Sequence, residues 1–420
     1  MNKRSFIKNI SLAGMAPVFG RLDRWLEKYQ SADPQILASS EDFWAGIRNG
    51  YKLKPDYINL ENGYYCFMPE EILEQFIRHV REVNYQGSYY MRNHRVKDNA
   101  AIAAKLAGLA GCPKDELIIT RNATESLDLV IGGTHWVPGD EAVMAEQDYG
   151  AMIDMFRLVA RRYGVVNKVV SVPNHPASDE EIVQLYADAI TSQTKLLMVS
   201  HMINITGQIL PVRKICDMAH GKGVKVLVDG AHAFAHISFS VAELRCDYYG
   251  TSLHKWLSAP LGCGFLYVRK ENIPDLWPLL ADSPRLGDDN ILCLGHTGTN
   301  PVHSNLSIEN AIDYYGKIGA DRKESRLRYL QRYWTEKVRN MDNLVVNTPA
   351  EAMRACGIAN VGVRDMKPAD LAAVLMKKYR IYTVAIDGAN VQGVRITPNI
   401  YTTTDDLDRL VAALGELRTG

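Results

Sequence analysis

Apolar residues between about residues 57 and 300 fall into short runs that are separated by amphipathic stretches. The runs are nearly uninterrupted, which is typical of strands buried on both faces. We predict strands at Glu116–Thr120, Ala142–Ala145, Val165–Val172, Lys195–Ser200, Val224–Asp229 and Gly264–Val268. Helical spacing predicts helices at Glu70–Val83, Met152–Tyr163, Asp179–Thr191 and Val212–Lys222. This alternation predicts an α/β fold with a mostly parallel sheet that is covered by helices.

The C-terminal part has a second, smaller pattern. Residues 306–340 are highly charged and follow a helical period, which predicts one long helix that bridges two domains. Beyond it we predict strands and helices at Asn343–Asn347, Gly357–Val363, Pro368–Lys378 and Asp405–Leu417. The expected organisation is a large domain over residues 45–300 and a smaller C-terminal α/β domain over 301–420, to which part of 21–44 belongs.

Composition and charge exclude several classes of protein. The 420 residues are 47% hydrophobic and 23% charged, and 48 basic side chains balance 48 acidic ones. No basic excess favours nucleic acid, and no apolar stretch reaches the roughly 18 residues of a membrane span. The seven cysteines form no C-x-x-C pair, which argues against a disulfide scaffold and a four-cysteine zinc site. We therefore expect no metal, nucleic-acid or membrane partner.

The first 20 residues have the order of an export signal. Lys3 and Arg4 precede a weakly apolar run from Ile10 to Phe19. The segment resembles a twin-arginine signal with Lys in the first Arg position, although no clear A-x-A site follows. The alternative is an N-terminal arm that packs on a partner. The expected location is periplasmic under the first interpretation and cytoplasmic under the second.

Two residues suggest a cofactor-dependent active site. Asp229 ends an apolar strand, and ligands of open α/β sheets bind beyond the carboxyl ends of strands. Lys255 lies between His254 and Trp256, and a partly desolvated lysine has a lowered pKa and becomes a nucleophile. Taken separately, a strand-end cap and a surface lysine are the commoner explanations for such residues. Pyridoxal phosphate needs both groups, a Lys for its Schiff base and an acid at its ring nitrogen.

A phosphate site is predicted where the strand ending at Thr120 meets a helix. Asn122, Ala123 and Thr124 open that helix, and its free N–H groups and dipole favour an anion. The alternative is an ordinary helix cap. Ser252 and His254 would add donors from the opposite side.

Several short motifs together resemble the class V aminotransferases, a family of fold type I pyridoxal-phosphate enzymes. The motifs are Asn122-Ala-Thr-Glu125, Asp229-Gly-Ala-His232, Ser252-x-His254-Lys255 and Gly298-Thr299. His201–Pro211 and Thr251–Trp256 are most similar to the isopenicillin N epimerase-like branch. The resemblance covers about residue 55 to the C-terminus.

The resemblance implies a role for each matching residue. Lys255 is the catalytic residue, which binds the cofactor and later moves the Cα proton, and Asp229 pairs with the ring nitrogen. The remaining cofactor contacts are His232 and Asn204 at the phenolic oxygen, Tyr149 on the ring, and Ala123, Thr124, Ser252 and His254 at the phosphate. Gly298 and Thr299 match a segment that reaches the phosphate of a neighbouring subunit, which implies a homodimer.

Substrate contacts are also implied. Arg395 matches the residue that binds a substrate carboxylate, a task that suits a bidentate guanidinium. Its structural alternative is a salt bridge at the end of a strand. Asn62 and Tyr64 are expected at the substrate mouth.

The sequence argues against one reaction of this family, cysteine desulfuration, and leaves several others open. Cysteine desulfurases of this fold carry a nucleophilic Cys shortly before the substrate arginine, and Thr383–Arg395 contains none. Cys356, the nearest one, lies in an apolar run. Epimerisation needs an acid on the second face of Cα, for which Tyr149, His201 and water are candidates. We expect an epimerase or racemase that acts on an amino acid or a peptide-like amine. An aminotransferase and a C–S lyase are the alternatives, whereas a non-enzymatic protein would be expected to lack Lys255 or Asp229.

Overall fold

A computed structural model describes residues 19–281 and 287–417 of the chain. The helices in chain order are α1 (Gly20–Leu26), α2 (Pro34–Ala38), α3 (Glu41–Arg48), α4 (Glu70–Gln86), α5 (Ser88–Asn93), α6 (Arg95–Ala110), α7 (Ala123–Gly133), α8 (Gly150–Tyr163), α9 (Asp179–Ala189), α10 (Val212–His220), α11 (Val241–Leu244), α12 (Val302–Ile318), α13 (Ala320–Val338), α14 (Pro368–Tyr379) and α15 (Thr404–Glu416). The strands are β1 (Ile58–Asn59), β2 (Leu117–Thr120), β3 (Glu141–Ala145), β4 (Val166–Val170), β5 (Thr194–Ser200), β6 (Lys225–Asp229), β7 (Tyr248–Ser252), β8 (Gly264–Val268), β9 (Leu344–Val346), β10 (Ala359–Val363), β11 (Ile381–Tyr382), β12 (Val384–Gly388) and β13 (Val391–Ile396).

A seven-stranded sheet in the order β2-β8-β7-β6-β5-β3-β4 forms the centre of the large part of the chain. Strand β8 is antiparallel to both of its neighbours, and the other neighbouring pairs are parallel. Ser200, Asp229 and Gly250 lie side by side where β5, β6 and β7 approach their carboxyl ends. The predicted α/β fold with a mostly parallel sheet is therefore confirmed.

Strand β7 was not among the predicted strands. Its sequence, Tyr248-Tyr-Gly-Thr-Ser252, has no aliphatic run, yet all five residues are buried between β6 and β8. A side chain at Gly250 would place its Cβ 2.9 Å from atoms of Ser126 and Leu127, so this strand passes close under helix α7. The strand matters for function because it delivers Ser252 to the carboxyl end of the sheet.

The single helix predicted over residues 306–340 is wrong. The structure has two helices, α12 and α13, that are separated by Gly319. Gly319 has φ +92°, a conformation that a helix interior does not contain and that side chains other than glycine rarely adopt. Residues 319–326 contain no apolar residue except Ala320, so the predicted helix was extended across a gap in the hydrophobic period.

A four-stranded antiparallel sheet, in the order β12-β13-β10-β9, forms the second layer of strands. It shares a core with α13, α14 and α15 through buried residues such as Trp334, Leu375 and Leu410. Strands β12 and β13 were not predicted. They form a hairpin with a two-residue turn at Ala389 and Asn390, both at positive φ, which is the geometry of a type I′ turn.

Helix α2 lies against α13. Arg326 donates to the backbone oxygen of Ala38 at 2.9 Å, and Gln35 donates to Ser325 at 3.0 Å. This contact accords with the expectation that part of residues 21–44 belongs with the C-terminal part, although the domain boundaries stay a prediction. The expected export signal falls almost entirely on residues 1–18, which lie outside the described residues. Within 19–281 and 287–417, no helix combines the length and apolarity that a bilayer span requires.

Candidate active site

A cavity of about 330 Å³ opens at the carboxyl ends of β5, β6 and β7. Residues from distant parts of the chain meet there because neighbouring parallel strands end at the same edge of the sheet. The predicted site residues on its wall are Tyr64, Ala123, Thr124, Tyr149, Asn204, Asp229, His232, Ser252, His254, Lys255 and Arg395.

Lys255 follows strand β7 and directs its amine to His232. Nζ of Lys255 lies 2.9 Å from Nε2 of His232. Burial lowers the pKa of Lys255 to about 8, and the nearby Asp229 carboxylate opposes that shift. Burial also lowers the pKa of His232 well below its ordinary value, so its ring is neutral, and in the tautomer protonated at Nδ1 its Nε2 accepts from the amine. A pKa of about 8 leaves about a tenth of the Lys255 amine unprotonated and nucleophilic at pH 7, far more than for an ordinary lysine.

Asp229 is the last residue of β6 and is 8% exposed. One of its carboxylate oxygens accepts the N–H of Ala231 at 2.9 Å. Burial raises the pKa of Asp229, whereas the Ala231 N–H and the Lys255 charge lower it. A carboxylate in this environment is suited to share a proton with a basic ring nitrogen.

The start of helix α7 lies on the side of the cavity where we predict the cofactor phosphate. Asn122 caps the helix by accepting the N–H of Glu125 at 2.9 Å, and the N–H of Ala123 donates to Ser252 Oγ at 2.8 Å. That bond ties the end of β7 to the helix and leaves the Ser252 hydroxyl proton available to a ligand. Thr124 lies beside them on the wall.

Two buried ring nitrogens on the cavity wall fit a ligand that carries several oxygens. Nδ1 of His232 and Nδ1 of His254 have no hydrogen-bond partner within the described parts of the chain. Buried polar atoms rarely stay unpaired, so these positions match the oxygen-rich periphery of pyridoxal phosphate. Together with Lys255 and Asp229, the donor set fits that cofactor.

Sequence reasoning missed Asp148, which precedes Tyr149. Its carboxylate accepts from the backbone N–H of Ala145 at 2.8 Å and from Ser200 Oγ at 2.7 Å. Burial raises its pKa to about 7. Asp148 lies three residues beyond the buried strand β3, so the rule that identified Asp229, an acid that ends a buried strand, did not reach it.

Sequence reasoning also missed Glu61, which pairs with Arg395. Nη2 of Arg395 lies 2.6 Å from Oε1 of Glu61, and Nε lies 3.2 Å from Oε2. The salt bridge considered as the structural alternative for Arg395 is thus present, on a residue that also lines the cavity. The acidic residue directly before the Asn62-Gly63-Tyr64 segment was the available signal.

Four predicted or considered residues lie elsewhere. Asn62 is fully buried, accepts from Asn59 and Tyr401 and donates to Thr397, so its side chain joins chain segments and does not line the cavity. His201 packs edge-on against Phe239, which places this candidate acid outside the cavity wall. Gly298 and Thr299 are exposed and away from the wall, and their proposed contact with a second subunit stays a prediction.

Comparison with known proteins identifies the relatives of this chain. The family model described as Aminotransferase class-V matches residues 68–410. Isopenicillin N epimerase of Amycolatopsis lactamdurans is 28% identical over 397 residues, which covers 89% of this chain and 98% of that protein. A probable cysteine desulfurase of Halobacterium salinarum is 27% identical and covers 86% of this chain and 92% of that protein.

A solved structure supports the same fold. The apo structure of a cysteine desulfurase from Thermococcus onnurineus NA1 matches with a TM-score of 0.77 at 20% identity, covering 89% of this chain and 97% of that one. The family model spans most of the chain, and most of the predicted site residues line one cavity. The chain therefore belongs to the class V aminotransferase family and is a pyridoxal-phosphate enzyme of fold type I.

Proposed function

We propose that this enzyme acts at the α-carbon of an amino acid or a peptide-like amine as an epimerase or racemase. The observation that carries the proposal is the Lys255 amine, which is held 2.9 Å from His232 in the cavity that Asp229 and Arg395 also line. The similarity to isopenicillin N epimerase along 98% of that protein supports the same class of reaction.

The residues that line the cavity have different chemical roles in this reaction. Bound pyridoxal phosphate supplies an electron sink that makes the bonds to Cα labile. Lys255 accepts the Cα proton on its own face of the substrate, and neutral His232 orients the lysine amine. Return of a proton on the other face needs a second donor. Tyr149 is the side-chain candidate because it lines the cavity and is 46% exposed, and water is the alternative donor.

Among the described residues that line the cavity there is no cysteine to act as the nucleophile of persulfide chemistry. Thr383–Arg395 is largely occupied by the β12–β13 hairpin and contains no cysteine in its sequence. Cys356 is fully buried, and burial raises its pKa to about 12, which suppresses the thiolate. Elimination of a sulfur group from a substrate needs no such cysteine. Because the relatives include cysteine desulfurases, C–S lyase and transaminase reactions are the competing outcomes.

An NMR experiment in deuterium oxide tests the proposal. The cofactor-loaded enzyme is incubated with a panel of amino acids and short peptides without any keto acid. Deuteration at Cα with inversion is the expected result and identifies the substrate class. Release of ammonia, a keto acid or a thiol would show a lyase instead. Exchange with retention of configuration would show a transaminase that lacks its amino acceptor.

We further propose that the enzyme is a homodimer. Gly298 and Thr299 are exposed in the single chain, as expected for a segment that serves a neighbouring subunit. The match of these two residues to the family segment that reaches a partner's phosphate supports the assignment.

A further inference from the structure

Arg395 lines the cavity and forms an ion pair with Glu61, which lies outside the cavity wall. The proposed function leaves Glu61 without a role. The two oxygens of Glu61 occupy the Nε–Nη2 edge of the guanidinium, at 3.2 Å and 2.6 Å. The side chains of Arg395 and Glu61 are only 9% and 6% exposed. Water therefore competes little with this bidentate contact, and removal of one partner would strand the other charge.

The surrounding chain fixes the pair in place. The backbone N–H of Tyr64 donates to Oε1 of Glu61 at 2.9 Å, and Nη1 of Arg395 donates to the backbone oxygen of Asn204 at 3.2 Å. Gly63 lies flat on the guanidinium, because a Cβ at this position would be 2.7 Å from Cζ of Arg395. The pair is thus a built part of the cavity and not a chance contact of two surface side chains.

The pair changes what Arg395 offers to a substrate. Its contacts with Glu61 and Asn204 use three of the five guanidinium N–H groups, so the guanidinium still has donors for a ligand. Its positive charge is already balanced before a ligand enters. An incoming carboxylate would add a second negative charge close to Glu61, whereas a neutral amide would accept the same donors without that repulsion.

We propose that Glu61 is a specificity-determining residue that lets this site accept amines whose Cα carries a neutral group, such as a carboxamide or a peptide bond, as well as free α-carboxylates. Specificity is a difference between two affinities, and Glu61 lowers the affinity for the charged competitor. This inference rests on the proposed function, because it places the reacting Cα between Lys255 and Arg395.

The test compares two matched probes on the cofactor-loaded enzyme. L-alanine and L-alaninamide differ in the charge of the group on Cα, and each is titrated while the cofactor absorbance reports equilibrium binding. We expect the wild-type dissociation constants to differ by less than about tenfold. Glu61→Gln should shift the preference towards L-alanine by at least about tenfold, because it removes the repulsion between two carboxylates and keeps an acceptor for Arg395. The two amines differ in basicity, but this difference affects wild type and variant equally. It therefore cancels when the preference ratio of the variant is divided by that of the wild type.

A matched control removes a carboxylate elsewhere. Glu141 pairs with Lys168 at 2.9 Å and is 13% exposed, but it lies at the amino end of β3, away from the cavity. Glu141→Gln should leave the preference unchanged.

Two results would overturn the role of Glu61. One is a wild-type preference for L-alanine above about a hundredfold, which needs no variant to fold. The other is a loaded Glu61→Gln enzyme with the wild-type ratio. A chain that forms no covalent link to the cofactor at Lys255 would overturn the proposed function and this inference together, so the two failures are distinguishable.

Discussion

At the scale of single residues, Lys255 and Lys323 have similar acidity and different access to the cavity. Burial lowers the pKa of both Lys255 and Lys323 to about 8. Lys323 donates to the backbone oxygen of Trp256 and lies over the ring of Tyr315, whereas Lys255 lines the cavity. A lowered pKa therefore does not identify the nucleophile by itself, and access to the cavity does.

The first prediction separates these two lysines. Lys255→Ala should abolish the covalent, borohydride-reducible link to pyridoxal phosphate, because the amine that attacks the cofactor aldehyde is gone. Lys323→Met is the matched control and should keep the link. Absorbance of the bound cofactor and mass mapping of the reduced protein measure the outcome. A reducible link that persists in Lys255→Ala would contradict the assignment.

The second prediction concerns how stability depends on pH through Lys323. Its pKa is about 8 in the folded chain and near 10.5 when unfolded, so between these values the unfolded chain binds one more proton. Wild type should therefore gain stability relative to Lys323→Met by about 1.4 kcal/mol per pH unit over this window. Below pH 8 the difference should be constant.

Denaturant unfolding of the apo proteins at several pH values measures this difference. A difference in unfolding free energy that does not change between pH 8 and 10.5 would show that the Lys323 amine is not desolvated.

At the scale of elements, two helices, α12 and α13, lie where one helix was predicted. A substitution at Gly319 tests whether this residue causes the break. Gly319→Ala should destabilise the chain by about 1–2 kcal/mol, because φ +92° is strained for a side chain. The cost is conformational, since the nearest atom to a new Cβ is Cδ of Arg322 at 3.9 Å. Gly316→Ala, at an exposed position in the last turn of α12, should instead stabilise by at most about 0.5–1 kcal/mol.

Urea unfolding of both variants gives the comparison. Equal effects of the two substitutions would show that residue 319 has no special backbone requirement.

The same scale shows what the sequence could predict. Runs of buried aliphatic residues located β5 and β6, and the acid at the end of β6 located Asp229. Strand β7 was not predicted because its sequence has no aliphatic run. Its residues are buried by the neighbouring strands on both sides. The β12–β13 hairpin escaped because its turn uses Ala389 where a type I′ turn favours Asn or Gly. Glu61 escaped because its partner, Arg395, is 334 residues away and only the fold brings the two together.

At the scale of the whole molecule, the site is assembled from the edge of the central sheet and from the antiparallel sheet. Arg395 comes from β13, and the β12–β13 hairpin is held to the large part of the chain by Gln147, which donates to the backbone oxygen of Ala389 at 3.2 Å. Glu61 lies beside Arg395 because the backbone of Glu61 forms a parallel bridge with Thr397, the residue that directly follows β13. The Arg395 side of the cavity thus depends on how the two sheets are joined, which no local pattern encodes.

The last prediction tests whether a second subunit completes the site. Thr299 is exposed and does not line its own cavity, so Thr299→Glu should fold normally in the single chain. If residue 299 reaches the partner's phosphate, the added negative charge should weaken pyridoxal-phosphate binding at least about tenfold. Ser192→Glu, at an exposed position before β5, is the control and should bind the cofactor as wild type does. Sedimentation measures the oligomeric state alongside the cofactor titration. A loaded, fully active monomer, or a Thr299→Glu variant with wild-type cofactor affinity, would contradict the shared site.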